Sequence, residues 1–272
     1  MGVKKENIFV SDIAGVIYEG RAEEINDYNI KYAQKTEARE LKDVIGGADV
    51  FLGVSAPGVL KPEMVENMAD RPLIMALANP IPEILPEDAS KVRPDAVIAT
   101  GRSDYPNQVN NVLCFPFLFR GALDVGATAI NDEMKMACVN ALAGLAHAES
   151  DETVIQAYGL QELNFGPEYL IPKPFDPRLL VELAPAVARA AMDSGVAKRP
   201  IEDFESYRQK LVDFVFRSGI AMKPVFDRVD IKQMLITFTQ RIKEIESIFN
   251  LKPYTKKISE IKDKAQSYVP NN

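Results

Sequence analysis

Four short runs of apolar residues alternate with more polar segments over the first hundred residues of the chain. The runs are Ile8–Asp12, Asp49–Ser55, Pro72–Ala78 and Asp95–Thr100. Segments of helical composition, such as Thr36–Ile45 and Lys61–Met68, lie between them. Strands that alternate with helices at short spacing predict a parallel α/β sheet. Because the apolar runs are continuous rather than alternating, we expect the sheet to be buried on both faces.

The second half of the chain has helical periodicity instead. Helices are predicted over Val112–Val125, Asn131–Ala148, Leu179–Ser194, Asp203–Phe216 and Asp230–Phe249. Gly195, a residue type that favours helix C-terminal ends, follows the third of them. We therefore expect an all-helical region after the sheet.

A polar loop, Ala99–Asn111, follows the fourth apolar run and precedes another segment that is expected to be buried. The loop contains Asn107, Asn110 and Asn111. Side-chain amides beside a core need hydrogen-bond partners, and parallel sheets bind ligands at the carboxyl ends of their strands. A ligand site and an asparagine-rich turn with a helix cap both fit this pattern.

Polar residues also follow the earlier strands. Asn79 precedes Pro80, which disfavours helical conformations and presents the amide at a strand end. Ser55 lies in a loop of small residues that a ligand can approach closely. Asp12 ends the first run, where an acid can bind ribose hydroxyls or cap a turn. Arg102 is a candidate partner for a carboxylate or phosphate, or simply a surface arginine.

Composition and charge exclude several classes of protein. The net charge of −7 argues against a nucleic-acid partner, although residues 227–272 hold nine Lys/Arg against six Asp/Glu. We find no stretch of about 20 apolar residues and no secretory signal, so we expect a cytoplasmic protein without a membrane span. Cys114 and Cys138 are expected to be reduced core thiols. His147, the one histidine, is expected at a helix end, which leaves no Ser-His-Asp or Cys-His mechanism.

Six features recur together in a known family. They are Asp12, Phe51–Ser55, Ala76–Pro80, Ala99–Pro116, Arg120–Gly126 and Tyr169–Asp176. Over residues 2–226 the chain resembles the nicotinamide-cofactor domain of bacterial malic enzymes, most of all the long NADP-dependent type with a phosphotransacetylase-like C-terminal domain. The resemblance implies an incomplete Rossmann-type parallel sheet flanked by helices, followed by an all-helical C-terminal part. The implied domains are a truncated NAD(P)-binding domain (1–150), a helical region (151–226) and a divergent helical tail (227–272).

The family's reaction is the metal-dependent oxidative decarboxylation of malate to pyruvate and carbon dioxide. The resemblance implies that Asp12, Ser55, Asn79 and Asn110 bind the cofactor, and that Asn79 and Asn111 bind the substrate. An amide suits both tasks because it donates and accepts hydrogen bonds without adding charge. Asp12 favours a free ribose hydroxyl and hence NAD, whereas the resemblance favours NADP.

The family's tyrosine acid, lysine base, Mg²⁺ or Mn²⁺ ligands and glycine-rich phosphate loop all come before the position of Met1. Neither a G-x-G-x-x-G motif nor a Walker sequence is found, so no catalytic or metal-binding residue is assigned. We expect a fragment with little turnover alone, whose missing first strand exposes apolar edges. The complete family forms homo-oligomers. The alternatives are an interaction module of a split malic enzyme with a separate N-terminal chain, or another nicotinamide-dependent dehydrogenase.

Overall fold

A computed structural model describes residues 2–149, 155 and 162–228. The chain divides into two compact units, Met1–Arg208 and Gln209–Asn272. The helix predicted over Asp230–Phe249 lies outside the described residues, and the domain boundaries at 150 and 226 stay predictions. Within the described part, no helix combines the length and the apolar character that a membrane crossing requires.

The described strands form two separate sheets. Strands β1 (Ser11–Asp12) and β2 (Gly15–Val16) make an antiparallel hairpin. Strands β3 (Val50–Gly53), β4 (Leu73–Ala76) and β5 (Val97–Thr100) make a parallel sheet in that order. The predicted strand Ile8–Asp12 is therefore wrong in extent, because only its last two residues are β-structure. They pair with Gly15–Val16 in the hairpin rather than with the parallel sheet.

The helices follow the predicted order. They are α1 (Leu41–Val44), α2 (Pro62–Glu66), α3 (Pro86–Val92), α4 (Phe115–Asp124), α5 (Asp132–His147), α6 (Arg178–Asp193) and α7 (Phe204–Arg228), together with 3-10 helices at Lys5–Asn7, Ile30–Tyr32 and Asn111–Leu113. Proline occupies the first turn of α2 and α3, where its missing N–H has no helical partner to lose. The α/β fold with a parallel sheet followed by helices is confirmed.

One face of the parallel sheet packs against the short helices that connect its strands. Phe51, Ile74 and Ala76 point into a core with Val65 of α2 and Ala89 of α3. Each of these five side chains is at most 8% exposed. Side chains alternate between the two faces of a strand, so this core uses every second residue of β3 and β4.

The opposite face of the sheet is open at β3. Val50 and Leu52 of β3 are 51% and 60% exposed, and Val54, just beyond the strand, is 77% exposed. The expectation that both faces are buried is therefore wrong for β3. A continuous apolar run permits burial on both faces, but burial also requires a second layer, and the described residues provide none over Val50 and Leu52.

Helices α4, α5 and α6 pack together beyond the sheet. α6 buries a stripe at helical spacing: Leu179, Leu183, Ala184, Val187, Ala188 and Ala191. Gly121 of α4 lies against this stripe, and a Cβ on Gly121 would come within 2.9 Å of the Cβ of Val187. The small residues thus let α4 and α6 approach closely. Because α4 begins just after the polar loop, this packing also holds the C-terminal end of the loop in place.

Candidate functional site

Three polar segments meet at one edge of the parallel sheet. β3 leads to Ser55, β4 leads to Asn79, and β5 ends at Thr100 and Gly101. The strands are parallel neighbours in register, with Gly53 opposite Ala76 and Ala76 opposite Thr100. Their carboxyl ends therefore lie side by side, at the edge where such sheets bind ligands.

Asn79 lies directly against the start of the polar loop. A Cβ on Gly101 would lie 2.9 Å from both Nδ2 and Oδ1 of Asn79. Asn79 Nδ2 donates a hydrogen bond to the carbonyl oxygen of Leu77 at 3.2 Å. Among the described residues, no group donates to Oδ1, and the side chain is exposed. The structure thus brings Asn79 and the loop together.

The three asparagines of the loop have different surroundings. Asn107 is only 2% exposed and makes three hydrogen bonds. Its Nδ2 donates to the carbonyl oxygens of Ile98 and Pro167 at 3.0 and 2.6 Å, and its Oδ1 accepts from the N–H of Leu170 at 2.7 Å. Both N–H groups and Oδ1 of this buried amide are engaged, so Asn107 joins the loop to residues 167–170 and is closed to a ligand.

Asn110 and Asn111 lie at the surface. Asn110 caps the short 3-10 helix, because its Oδ1 accepts a hydrogen bond from the N–H of Val112 at 3.0 Å. The turn-and-cap interpretation therefore describes Asn110, although its Nδ2 remains exposed. Asn111 is exposed, and its side chain has no hydrogen bond within the part of the chain that the structure describes. The ligand roles of both residues stay predictions.

Asp12 is bound within the hairpin. Its carboxylate forms an ion pair with Arg21 and accepts a hydrogen bond from the N–H of Ala14 at 2.9 Å. The guanidinium of Arg21 is 2% exposed and also donates to the carbonyl oxygens of Gly15 and Val16. This network closes the hairpin by itself, so the geometry provides a structural reason for Asp12, and its proposed contact with a ribose stays a prediction.

Ser55 is held by a residue that sequence reasoning missed. The N–H of Ser55 donates to Oε1 of Glu83 at 2.8 Å, and Oε2 of Glu83 accepts from the N–H of Ala78 at 3.0 Å. Glu83 is 0% exposed. A glutamate between prolines gives little signal of burial, because it is the pairing of β3 with β4 that places the two donors beside it.

Arg102 is already paired. Its Nε donates to Oδ1 of Asp104 at 2.9 Å, and its guanidinium lies 4.9 Å from the centre of the Tyr105 ring. The hydroxyl of Tyr105 donates to Glu87 at 2.9 Å, which raises the pKa of that tyrosine. Asp104 balances the charge of Arg102, so the surface interpretation of this arginine fits better than an anion site.

A cleft of about 490 Å³ lies between the polar loop and residues 162–173. Asp104, Glu162 and Glu168 line it together with Lys173. Burial lowers the pKa of Lys173. Because Asp104 pairs with Arg102, two carboxylates, those of Glu162 and Glu168, are left beside one amine, and the cleft does not favour a dicarboxylate ligand.

The remaining reactive side chains are structural. His147 is exposed at the end of α5, with its ring centre 3.8 Å from that of Phe165, as expected for a helix-end residue. Cys114 and Cys138 are free thiols with their sulfur atoms 3.4 Å apart, a proximity that the sequence did not indicate. Burial raises the pKa of Cys138 to about 12, so it stays protonated. In the described ranges, no three His, Cys, Asp or Glu side chains are grouped so that they could hold a metal ion.

Comparison with known proteins identifies relatives for most of the chain. The family described as "Malic enzyme, NAD binding domain" matches residues 3–158. The NADP-dependent malic enzyme of Salmonella typhimurium is 64% identical over 219 residues, which are 80% of this chain and 29% of that protein. The NAD-dependent malic enzyme of Rhizobium meliloti is 61% identical over 218 residues, again 80% of this chain and 28% of that protein.

Solved structures agree with these matches. The malic enzyme of Pyrococcus horikoshii superposes with a TM-score of 0.56 at 37% identity, covering 68% of this chain and 39% of that one. The malic enzyme of Entamoeba histolytica superposes with a TM-score of 0.69 at 29% identity, covering 84% and 46%. The chain thus spans less than a third of the length of the first relatives and less than half of these structures.

Proposed function

Because this chain belongs to the malic enzyme family, we propose that it supplies the nicotinamide-binding half of a site that oxidatively decarboxylates malate to pyruvate and carbon dioxide. The observation that carries the proposal is the contact between Asn79 and Gly101, at the ends of β4 and β5. This contact places one exposed amide against the loop that bears Asn110 and Asn111. The loop after β4 and the loop after β5, which both carry neutral candidate ligand residues, therefore meet at the edge of a parallel sheet.

The donors and acceptors at this edge fit a nicotinamide nucleotide. A carboxamide and ribose hydroxyls need neutral partners that both donate and accept, and asparagine provides both. Asn79 Oδ1 and the side chain of Asn111 are open within the described residues. When bound, the oxidised nicotinamide ring takes the hydride that malate loses. Relatives that use NADP and relatives that use NAD match this chain almost equally, so we propose either cofactor.

The proposal does not extend to independent turnover. The described residues do not fit the divalent metal ion of the family, because no suitable cluster of ligands is present among them. The residues at the sheet edge are amides and a serine, which bind and orient but do not take up a proton at neutral pH. We therefore propose cofactor binding by this chain, with catalysis only when further residues complete the site.

Two measurements on the purified chain test the two halves of this proposal. Titration with NADPH and with NADH, followed by the fluorescence of the reduced nicotinamide, should show saturable binding. An assay with malate, Mn²⁺ and NADP⁺ or NAD⁺ should show no turnover above background. Absence of binding would contradict the first half, and a normal malic-enzyme rate would contradict the second.

We predict that Asn79→Ala weakens binding of the reduced cofactor. Each hydrogen bond lost to the ligand should weaken binding about 2- to 12-fold. Because Asn79 is exposed, the free energy of unfolding should change by only about 0.5 kcal/mol. Asn140→Ala, at an exposed position of α5, is the matched control and should bind as the unmodified chain does. Equal affinity of the two variants would remove Asn79 from the site.

A second candidate function is subunit interaction, and the open face of the sheet favours it. Val50, Leu52 and Val54 are each more than half exposed on or beside β3, and the edge of β3 away from β4 pairs with no described strand. Exposed apolar surface of this kind marks interaction sites. Co-purification with a separate N-terminal malic enzyme chain, which restores turnover, would support a split enzyme. Failure of such a chain to bind would count against it.

A further inference from the structure

Glu83 is a buried carboxylate between the two loops that follow β3 and β4. It is 0% exposed, and it has no ion pair in the described part of the chain. Its Oε1 accepts from the N–H of Ser55 at 2.8 Å and from the hydroxyl of Ser55 at 3.3 Å, while Oε2 accepts from the N–H of Ala78 at 3.0 Å. A buried carboxyl group is costly without hydrogen-bond partners, and these donors from the two loops satisfy both of its oxygens.

Gly53, at the end of β3, leaves the space that the carboxylate of Glu83 occupies. A Cβ on Gly53 would lie 2.5 Å from Cδ of Glu83, so any larger residue at position 53 would displace it. The main chain of Glu83 is also tied to the first loop, because its carbonyl oxygen accepts from the N–H of Leu60 at 3.2 Å. Glu83 is therefore fixed at both its backbone and its side chain.

Through these bonds one side chain sets the spacing of two predicted cofactor residues. It binds Ser55 directly, and it binds the N–H of Ala78, the residue immediately before Asn79. Since Asn79 in turn lies against Gly101, the loops after all three strands of the sheet are linked through this contact chain.

Glu83 also determines the hydrogen-bonding polarity of Ser55. A serine hydroxyl has a single proton, and here that proton is directed to Glu83. The oxygen of Ser55 can then only accept a hydrogen bond from a ligand. A ribose hydroxyl can donate to it, whereas a phosphate oxygen at neutral pH cannot.

We propose that Glu83 is a positioning residue that fixes Ser55 Oγ as an acceptor, so that the loops bearing Ser55 and Asn79 bind a hydroxyl-bearing ribose of the cofactor rather than one of its phosphates. This inference rests on the proposed function and adds to it the residue that orients Ser55 toward the cofactor. Ser55 and Asn79 touch the ligand, and Glu83 acts through Ser55.

The variants Glu83→Gln and Ser55→Ala test this arrangement in the full chain. Glutamine has the size of glutamate, but one of its two terminal groups is an NH₂, which cannot accept a hydrogen bond. In the variant this NH₂ faces either the N–H of Ala78 or the N–H and hydroxyl of Ser55, and the bond at that position is lost. When it faces Ser55 it donates to the hydroxyl, whose proton then turns to the ligand. Ser55→Ala removes the acceptor and keeps the backbone bond to Glu83. We expect each variant to bind NADPH and NADH about tenfold more weakly.

The double variant separates positioning from a general structural effect. If Glu83 acts on the ligand through Ser55, the two changes remove the same contact. The double variant should then bind the cofactor no more weakly than whichever single variant has the lower affinity. Multiplication of the two fold-changes would overturn the inference. Ser55→Thr retains the hydroxyl and should restore binding to within about threefold of the unmodified chain, which also tests the serine if Glu83→Gln does not fold.

Control variants distinguish a failure of the proposed cofactor binding from a failure of the inference about Glu83 and Ser55. Glu66→Gln on α2 and Ser90→Ala on α3 make the same chemical changes at exposed positions and should leave binding unchanged. If the unmodified chain binds neither NADPH nor NADH, the proposed function fails. If it binds them and Ser55→Ala binds equally well, the cofactor function stands and the inference about Glu83 and Ser55 is overturned.

Discussion

Asn107 joins segments of the chain that are far apart in sequence. Its φ is 52°, a left-handed conformation that asparagine tolerates better than most residues. From this position the amide reaches the carbonyl oxygen of Ile98 in β5 and two main-chain groups near residue 170. The polar loop is therefore held at its middle by one buried side chain, while its last two asparagines stay at the surface.

We predict that Asn107→Ala destabilises the fold. The substitution leaves two carbonyl groups and one N–H without partners, which should lower the free energy of unfolding by about 2–4 kcal/mol. Asn107→Gly loses the same bonds but adopts the positive φ freely, so it should be about 1 kcal/mol less destabilising than alanine. Chemical denaturation measures both values. Equal stability of Asn107→Ala and the unmodified chain would contradict the joining role.

At the residue scale, sequence identifies side chains whose environment is local. Asn79 before a proline could be placed at a strand end, and Asn110 could be recognised as a possible cap, because both depend on neighbours in the chain. The burial of Asn107 and Glu83 depends on partners up to 63 residues away, so no local pattern reveals it. For Asp12 the local pattern was misleading, because the strand-like run before it ends in a hairpin rather than in a strand of the parallel sheet. Arg21 binds Asp12 and holds that hairpin closed.

Among the elements, α4 and α6 form the closest helix contact that the glycines reveal. Gly121 lies where a Cβ would meet Val187, with the backbone of Ala184 also beside it. Gly144 of α5 provides a contrast, because a Cβ there would have no heavy atom within 4 Å. The same residue type thus serves close packing in one helix and has no packing role in another.

We predict opposite effects from the same substitution at these two glycines. Gly121→Ala should lower the free energy of unfolding by about 1–3 kcal/mol, because α4 and α6 must separate to admit the methyl group. Gly144→Ala should raise it by about 0.5–1 kcal/mol, since alanine is the better helix former and the site is open. Thermal and urea unfolding of both variants measure the difference. A stabilising Gly121→Ala would contradict the close contact.

The sequence predicted one helix almost to the residue, whereas others were wrong in extent: the helix predicted over Asp203–Phe216 continues to Arg228. The prediction over Asn131–Ala148 matches α5 to one residue at each end, because Asn131 caps the helix and the apolar spacing continues to its last turn. Strands β3, β4 and β5 were placed correctly, but the environment of their faces was not. An apolar run indicates that a strand can be buried, whereas the presence of a layer that covers it depends on the whole fold.

Across the whole sheet of the described chain, one side is packed and the other is open at its β3 edge. Phe51 is 8% exposed, and the next residue, Leu52, is 60% exposed. An apolar surface of this kind favours association with another protein surface. This exposed part of β3 is the surface where we propose that a partner binds, and it lies next to the strand ends that carry the candidate ligand residues.

We predict that Leu52→Thr reduces self-association of the purified chain. Threonine keeps the preference for β-structure and removes apolar surface that is mostly exposed, so the free energy of unfolding should change by less than about 1 kcal/mol. Sedimentation velocity measures the fraction of monomer. Ile13→Thr, in the exposed turn of the hairpin, is the control and should not change that fraction. An unchanged oligomer distribution for Leu52→Thr would show that this face does not mediate association.

The open face also affects how the protein responds to temperature. The heat capacity of unfolding grows with the apolar area that unfolding newly exposes, and it is about 12–15 cal/mol/K per residue in ordinary globular domains. Side chains such as Val50, Leu52 and Val54 are already hydrated in the folded chain and add little to it. The stability curve of the isolated chain is therefore flatter than that of a domain with a fully covered sheet, and a partner that covers this face would steepen it.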